Sequence, residues 1–183
     1  MRGSITIFVL SLLLVGCAGQ WVKVSDDETY TTSLYRISLP HGWVKRVEGD
    51  TLVLSKDGPD LQKIVVRAAG HKDAFRHIEK ESAPDMLPSE LSAMFIADLK
   101  KESGTGLPSL VVEVDEPADM GGRDGFHIVA GYSTDEGVHY RLTAYGAVSE
   151  KGFLTLSYTA PAIYYFDKDR GSFAQTYASL SLL

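Results

Sequence analysis

The fold is decided by residues 126–160, FHIVAGYSTDEGVHYRLTAYGAVSEKGFLTLSYTA, which contain three strand patterns in succession. The patterns cover 126–133, 138–148 and 153–160. Short segments that end in Gly137 and Gly152 separate them, and such segments favour tight turns. In the last strand, apolar residues predicted to face inward alternate with polar residues predicted to face out: Leu154, Leu156, Tyr158 and Ala160 against Thr155, Ser157 and Thr159. Three consecutive strands joined by tight turns indicate an antiparallel sheet with one apolar face.

The rest of the chain adds strands and helices on both sides of this stretch. Alternating or apolar runs predict strands at 34–39, from Trp43 onward, at 51–55, at 62–69 and at 109–116. Helical spacing of apolar residues predicts helices at 71–82, 89–104 and about 169–181. The order of strands, helices, strands and a final helix predicts an α+β domain. We expect a single antiparallel sheet with helices packed on its faces.

Composition limits the classes of function. The chain has 183 residues, of which 44% are hydrophobic and 23% charged, and these values favour a folded domain over a disordered chain. The formal net charge of −6 argues against a nucleic-acid partner, because binding to nucleic acid depends on clustered Lys and Arg.

The N-terminus has the features of a secretory signal. Arg2 supplies a positive charge, and residues 5–15 form an apolar run that is broken only by Thr6 and Ser11. The run is too short for a transmembrane helix, which needs about 20 apolar residues. We therefore expect residues 1–16 to be a signal peptide that is removed during export.

The end of this leader, Leu14-Val15-Gly16-Cys17, resembles the lipobox of bacterial lipoproteins. The resemblance implies that the sulfur of Cys17 takes a diacylglycerol, that cleavage makes Cys17 the first residue, and that its amine is acylated, for example with palmitate. Ala18, rather than Asp, follows the cysteine, which implies sorting to the bacterial outer membrane on its periplasmic side. The alternative is a cysteine that is discarded with the leader. Cys17 is the only cysteine, so no disulfide is expected in the folded part.

Two segments are expected after cleavage. Residues 17–33 are polar, with Asp26, Asp27 and Glu28 in a row, and are predicted to form the lipidated N-terminus and a flexible tether. A flexible chain of this length spans roughly 20 to 25 Å root-mean-square. Residues 34–183 are predicted to form one domain.

A short motif and the order of elements resemble a known fold. The motif is Tyr35-Arg36-Ile37-Ser38-Leu39-Pro40 followed by Gly42-Trp43, and it combines with a central helix over 91–99, the three late strands and a last helix that ends in Tyr177-Ala178-Ser179-Leu180. Over about 34–183 this pattern is similar to the Mog1/PsbP-like fold, including the DcrB-type bacterial lipoproteins. The resemblance implies a binding or accessory subunit of a larger assembly, and it brings no catalytic residues and no cofactor other than the covalent lipid.

Motifs for catalysis are absent from the sequence. It contains no HExxH, no GxSxG and no GxxxxGK[ST]. Asp73, His77 and Glu81 are spaced by four residues on a predicted helix and are a candidate for a divalent metal, although a solvated face with charge pairs accounts for the same spacing. The acidic stretch with Asp115, Glu116, Asp119 and Asp124 lacks the residue order of a calcium loop.

Two groups of residues are candidates for contact with a partner. Tyr164, Tyr165 and Phe166 lie between the last strand and the last helix, where they either pack that helix or form an aromatic anchor in an interface. His127, His139 and Arg141 lie on the polar sides of late strands and form either a solvated face or a contact surface. We expect a non-catalytic module that binds another envelope protein. The alternatives are a periplasmic hydrolase or metal-dependent enzyme, and a pure spacer.

Overall fold

The structure, a computed structural model, describes residues 19–101, 107 and 109–183. The predicted signal peptide 1–16 and the predicted lipidation site Cys17 lie outside the described residues. No helix in the described part of the chain is long and apolar enough to cross a membrane.

The described residues form eleven strands and two α-helices. The strands are β1 (Val22–Lys23), β2 (Thr29–Thr31), β3 (Tyr35–Ser38), β4 (Val44–Glu48), β5 (Thr51–Ser55), β6 (Lys63–Ala69), β7 (Val111–Asp119), β8 (Asp124–Ser133), β9 (His139–Ser149), β10 (Gly152–Pro161) and β11 (Ser181–Leu182). The helices are α1 (Pro88–Lys101) and α2 (Tyr165–Ala178).

An eight-stranded antiparallel sheet organises the molecule, in the order β1-β4-β5-β6-β10-β9-β8-β7. The three strands predicted from 126–160 are β8, β9 and β10, and they pair in sequence order as expected. A small second sheet, in the order β11-β3-β2, was not predicted. The α+β class and the large antiparallel sheet with packed helices are confirmed.

Both faces of the large sheet are covered, as helices packed on its faces require, although the pattern of the three late strands predicted only one apolar face. Leu154, Leu156, Tyr158 and Ala160 pack in a core with Phe166 and Phe173 of α2, as the alternation predicted. Phe153 points to the opposite face, where it packs with residues of α1 and of the 74–78 segment. Its ring centroid lies 5.0 Å from that of Phe75 and 6.4 Å from that of Phe126. Thr155 and Thr159 point to this second face, away from Leu154 and Leu156 as predicted, but they are only 7% and 9% exposed because this face is also covered.

The predicted helix at 71–82 is also wrong. The chain forms one turn of 3₁₀ helix at His71–Asp73 and then a bridge between Phe75 and Lys80, whose backbone groups exchange two hydrogen bonds. Arg67 accounts for the difference, since its guanidinium donates to the carbonyl oxygens of Asp73 and Ala74, which a helix would use internally. Phe75 anchors the loop by inserting its fully buried ring into the core.

The tether predicted at 17–33 is folded from residue 19 onward. β1 extends the large sheet through β4, and β2 pairs with β3. Val24 is buried, and its N–H donates to the carbonyl of Trp43. The acidic run that suggested a tether is a tight turn, in which Asp27 has a positive φ of 56° and the side chain of Glu28 accepts the N–H of Ser25. The domain therefore begins before residue 34.

Candidate functional site

The candidate metal group is not assembled. Because 71–82 is not a helix, Asp73, His77 and Glu81 do not stack on one face. His77 instead pairs with Asp98 of α1, with 3.3 Å between Nδ1 and Oδ2. Over the described residues, no group of three or more His, Cys, Asp or Glu side chains could hold a metal ion.

The acidic stretch is divided between two paired strands. Asp115, Glu116 and Asp119 belong to β7 and Asp124 to β8, and Asp119 Oδ1 accepts the N–H of Gly122 in the connecting turn. β7 is an edge strand, with a register shift between Val112 and Val114. Charged side chains and irregular pairing protect an exposed edge from joining another sheet, so these acids have a structural explanation.

A groove with a volume of about 1030 Å³ lies on the α1 face. Its floor carries the side chains of Thr155, Ser157 and Thr159, and Phe95 and Leu99 of α1 lie on its wall. Arg67 also lines the groove, and burial lowers the pKa of its guanidinium below the ordinary value. The guanidinium donates to the backbone carbonyls of Asp73 and Ala74 and is therefore already bound within the protein. The sequence missed this groove, because the hydroxyl-bearing residues of β10 looked like an ordinary solvated face.

One wall of the groove brings a histidine and a carboxylate together. Asp98 Oδ1 accepts the backbone N–H groups of His77 and Ile78 at 2.7 and 3.1 Å, so Asp98 fixes the 77–78 turn to α1. Within the described part of the chain, no serine or threonine hydroxyl is hydrogen-bonded to His77. Among the described residues, the pair is therefore not joined to the hydroxyl nucleophile of a Ser-His-Asp arrangement.

The three aromatic residues before α2 are divided between core and surface. Phe166 is buried and packs on Tyr158, with ring centroids 5.3 Å apart, whereas Tyr164 is 65% exposed and its neighbour Ile163 is 83% exposed. Tyr165 is intermediate, and its carbonyl accepts the hydroxyl of Tyr158. Phe166 therefore packs the helix against the sheet, as one of the two alternatives predicted, and Tyr164 lies exposed at the surface.

The backbone at Tyr164 is strained. Its φ and ψ are 72° and −59°, and the N–H of Tyr165 donates to the carbonyl of Ile163 at 2.9 Å. These values define a γ-turn with a positive central φ, the rarer and more strained of the two γ-turn types. A bulky residue rarely adopts such a φ, and strain of this kind concentrates at functional sites. We call the Ile163–Tyr164 pair and its turn the γ-turn knob.

The γ-turn knob lies at one end of the large sheet. This end, the knob end, also contains the β5–β6 turn, the β8–β9 turn and the start of β7, as the strand registers require. Val111 and Val138 lie at the same end and are 65% and 43% exposed. Adjacent strands are about 4.8 Å apart, so β10 to β7 spread these apolar side chains over about 14 Å.

His127, His139 and Arg141 share the face of the sheet on which α2 packs, but they do not form one cluster. His127 stacks on Tyr145 with centroids 4.4 Å apart and bonds to Glu116 and Thr143. His139 lies at the knob end, where its Nδ1 is 2.8 Å from the hydroxyl of Ser133. Arg141 lies over the ring of Phe166 at 5.4 Å and pairs with Glu113. Arg141 is therefore the member of this group that contacts the aromatic segment.

A polar network connects the knob end to α2. Asp57 in the β5–β6 turn accepts from Lys168, and Gln62 Nε2 donates to Asp57 and to the buried Asp169 at 3.0 and 2.7 Å. Lys56 Nζ completes the network 3.0 Å from Asp169 Oδ1. The bond from Lys168, and secondly that from Gln62, lowers the pKa of Asp57 below its ordinary value.

This network predicts a loss of stability in acid. The folded-state pKa of Asp57 is below its unfolded value, so its contribution is present above the unfolded pKa, near 3.9, and is lost as pH falls through the folded value. We expect the free energy of unfolding, measured with urea, to fall below about pH 4. Asp57→Asn should reduce the slope over this range, and an unchanged slope would contradict the assignment.

The strain at Tyr164 predicts a difference between two substitutions. Tyr164→Ala removes the ring, but the alanine must still adopt the unfavourable positive φ. Tyr164→Gly also removes the ring, and glycine adopts this φ without steric cost. We expect the glycine variant to be more stable than the alanine variant by about 1 kcal/mol in urea unfolding, the usual cost of a left-handed φ for an L-residue. Equal stabilities, or a more stable alanine variant, would show that the turn carries no strain.

Comparison with solved structures identifies the fold. The solution structure of cyanobacterial PsbP (CyanoP) from Synechocystis sp. PCC 6803 matches with a TM-score of 0.57 and 15% identity, covering 96% of this chain and 99% of that chain. LpqN, involved in cell envelope biogenesis of Mycobacterium tuberculosis, matches with a TM-score of 0.56 and 15% identity, covering 90% and 91%. The Ran-binding protein Mog1p of Saccharomyces cerevisiae matches with a TM-score of 0.54 and 11% identity, covering 90% and 95%.

These matches define the class of protein by its fold. The domain is an α+β domain of the Mog1/PsbP-like type, as the motif at 35–43 and the order of elements implied. No family model matches the sequence, and no curated protein matches it. At 11 to 15% identity the likeness concerns the fold, and function has to be argued from this chain's own residues.

Proposed function

We propose that this protein is a lipid-anchored lipoprotein of the bacterial outer membrane that binds another envelope protein on the periplasmic side and does not catalyse a reaction. The observation that carries the binding role is the γ-turn knob, in which two large apolar side chains are exposed on a strained but hydrogen-bonded turn. Two proteins of the same fold are described as Ran-binding and as involved in cell envelope biogenesis, which supports a binding role in the envelope.

The knob has the properties of an interface anchor. Interface cores are enriched in aromatic residues and depleted of charge, and a few central side chains contribute most of the binding energy. Ile163 and Tyr164 supply apolar area, and Lys168 lies 5.6 Å from the Tyr164 ring as a cation beside the apolar centre. Because the γ-turn and the adjoining helix fix the pair, little conformational entropy is lost on binding.

The groove does not support the enzymatic alternative to the same degree. Its His77–Asp98 pair is used to hold the 77–78 turn. The hydroxyls on its floor belong to β10, and the hydrogen bonds of the described residues join none of them to that pair. A binding role therefore accounts for more of the observed geometry than a catalytic one.

Site-specific photo-crosslinking tests the binding role. A photoreactive phenylalanine analogue is placed at Tyr164 in cells, and the matched control carries it at Leu87, another large apolar residue that is 60% exposed. We expect a discrete adduct with one envelope protein, identified by mass spectrometry, from position 164 and not from position 87. No adduct from 164, or the same adducts from both positions, would contradict the proposal.

A further inference from the structure

The N-terminal segment leaves almost no free chain between the proposed lipid and the fold. Gly19 lies directly against β4, since a Cβ added there would be 2.8 Å from the carbonyl oxygen of Val47. Gly19 follows Cys17 by two positions, with only Ala18 between them, and two extended residues span at most about 7 Å. This distance is far smaller than the reach expected of a flexible tether. The difference arises because β1 and β2, which lie within the predicted tether, are held in the sheets.

The position of Gly19 also fixes which end of the sheet is nearest the lipid. The register of β1 with β4 runs from Lys23 opposite Val44 to Val22 opposite Lys45, so earlier residues approach the β4–β5 turn. The strand registers place this turn with the β7–β8 and β9–β10 turns, at the end opposite the knob end. We call it the Gly19 end.

Trp21 is within reach of the bilayer surface. It follows Cys17 by four residues, so its Cα lies within about 14 Å of the acylated residue. The polar headgroup layer is roughly 5 to 8 Å thick on each side of a bilayer. The Arg46 guanidinium lies 4.7 Å from the centre of the Trp21 ring and holds it on β4. Beside it, Val22 and Val47 are 52% and 42% exposed.

We propose that the Gly19 end rests on the lipid bilayer, with Trp21 among the lipid headgroups and the knob end directed away from the membrane. The proposal rests on the lipidation of Cys17 proposed above. Tryptophan favours the membrane–water interface because its ring is apolar and its N–H is polar. Arg46, whose Nε lies 2.8 Å from Glu48 Oε1, stacks on this ring and keeps it at the Gly19 end.

This orientation gives the binding surface a defined height. β10 has ten residues and runs from the Gly19 end to the knob end. At about 3.3 Å per residue this strand is about 30 Å long. The γ-turn knob would then stand roughly 30 Å above the bilayer. A periplasmic partner would reach it without contacting lipid.

Quenching of tryptophan fluorescence by brominated lipids tests the orientation. The acylated protein is purified from membranes and reconstituted into phosphatidylcholine vesicles that carry bromine near the headgroup end of the acyl chains. Trp43, the other tryptophan, is fully buried, so the contribution of Trp21 is the difference between wild type and Trp21→Phe. We expect this contribution to be strongly quenched. A Trp21→Phe, Ile163→Trp double variant serves as the matched control, and its tryptophan at 163 should remain unquenched.

Each result decides the proposal. Unquenched Trp21 in protein whose acylation is verified by mass spectrometry would overturn the orientation and leave the lipid anchor intact. Equal quenching at 21 and 163 would also overturn it, because the domain would then have no preferred end on the membrane. A mature chain without acyl groups would overturn the lipid anchor and the orientation together.

Discussion

Replacement of Cys17 by serine is expected to abolish the attachment of lipid and to remove the protein from the outer membrane. The serine hydroxyl cannot replace the thiol in the thioether to diacylglycerol, so the chain would lack the acyl chains that hold it. One acyl chain gives only marginal membrane binding, with an association constant of about 10⁴ M⁻¹, and stable anchoring needs a second chain or another signal.

Incorporation of labelled palmitate and fractionation of the two membranes measure this effect. Cys17→Ser should give no label and no mature protein in the outer membrane. Ala18→Ser is the matched control and should retain both, whereas Ala18→Asp should retain the label but move to the inner membrane, as the lipoprotein resemblance implies. Normal label and outer-membrane retention in Cys17→Ser would refute the anchor.

Replacement of Asp169 by alanine is expected to cause the largest loss of stability among single polar substitutions in α2. The side chain is 3% exposed and accepts from Gln62 and Lys56, which join the β5–β6 turn to the helix. Gln62 is fully buried, and its Oε1 has no hydrogen-bond partner among the described residues. The hydrogen bonds of its side-chain amide are therefore those that Nε2 donates to Asp57 and Asp169. Removing one partner of a buried charged pair costs about 3 to 5 kcal/mol.

We expect a value near the lower limit, about 3 kcal/mol, because Lys56 is 38% exposed and can turn to water. Urea unfolding monitored by tryptophan fluorescence measures the change. Asp167→Ala is the matched control, since Asp167 is exposed on the same turn of α2 and its loss should cost less than about 1 kcal/mol. Similar losses in the two variants would show that the buried network does not connect the turn to the helix.

The sequence predicted most elements whose pattern is local. β8, β9 and β10 are long and are joined by glycine-containing turns. Their pairing in chain order could therefore be predicted from the sequence. α1 begins one residue before its predicted start, and α2 begins four residues earlier than expected, because Tyr165 and Phe166 belong to its first turn. Such patterns depend on near neighbours, which a sequence displays directly.

The errors arose where distant residues decide the local structure. Arg67 in β6 takes the carbonyls of Asp73 and Ala74, so an amphipathic stretch becomes a loop. β1 and β2 have only two and three residues, and residues 22–31 are ordered by pairing with β4 and β3 and by the burial of Val24 in the core. The candidate site shows the same limit: the aromatic segment was found, but the exposure of Ile163 and the positive φ of Tyr164 depend on the packing of α2 against the sheet.

The central claim is that Cys17 becomes the acylated first residue of a domain that lies directly on the membrane. Mass spectrometry of the N-terminal peptide from membrane-purified protein tests it most directly. We predict a peptide that begins at Cys17 and carries a diacylglycerol on sulfur and an acyl chain on the amine. A peptide that begins at Cys17 with a free thiol, or a mature chain that lacks Cys17, would contradict the claim.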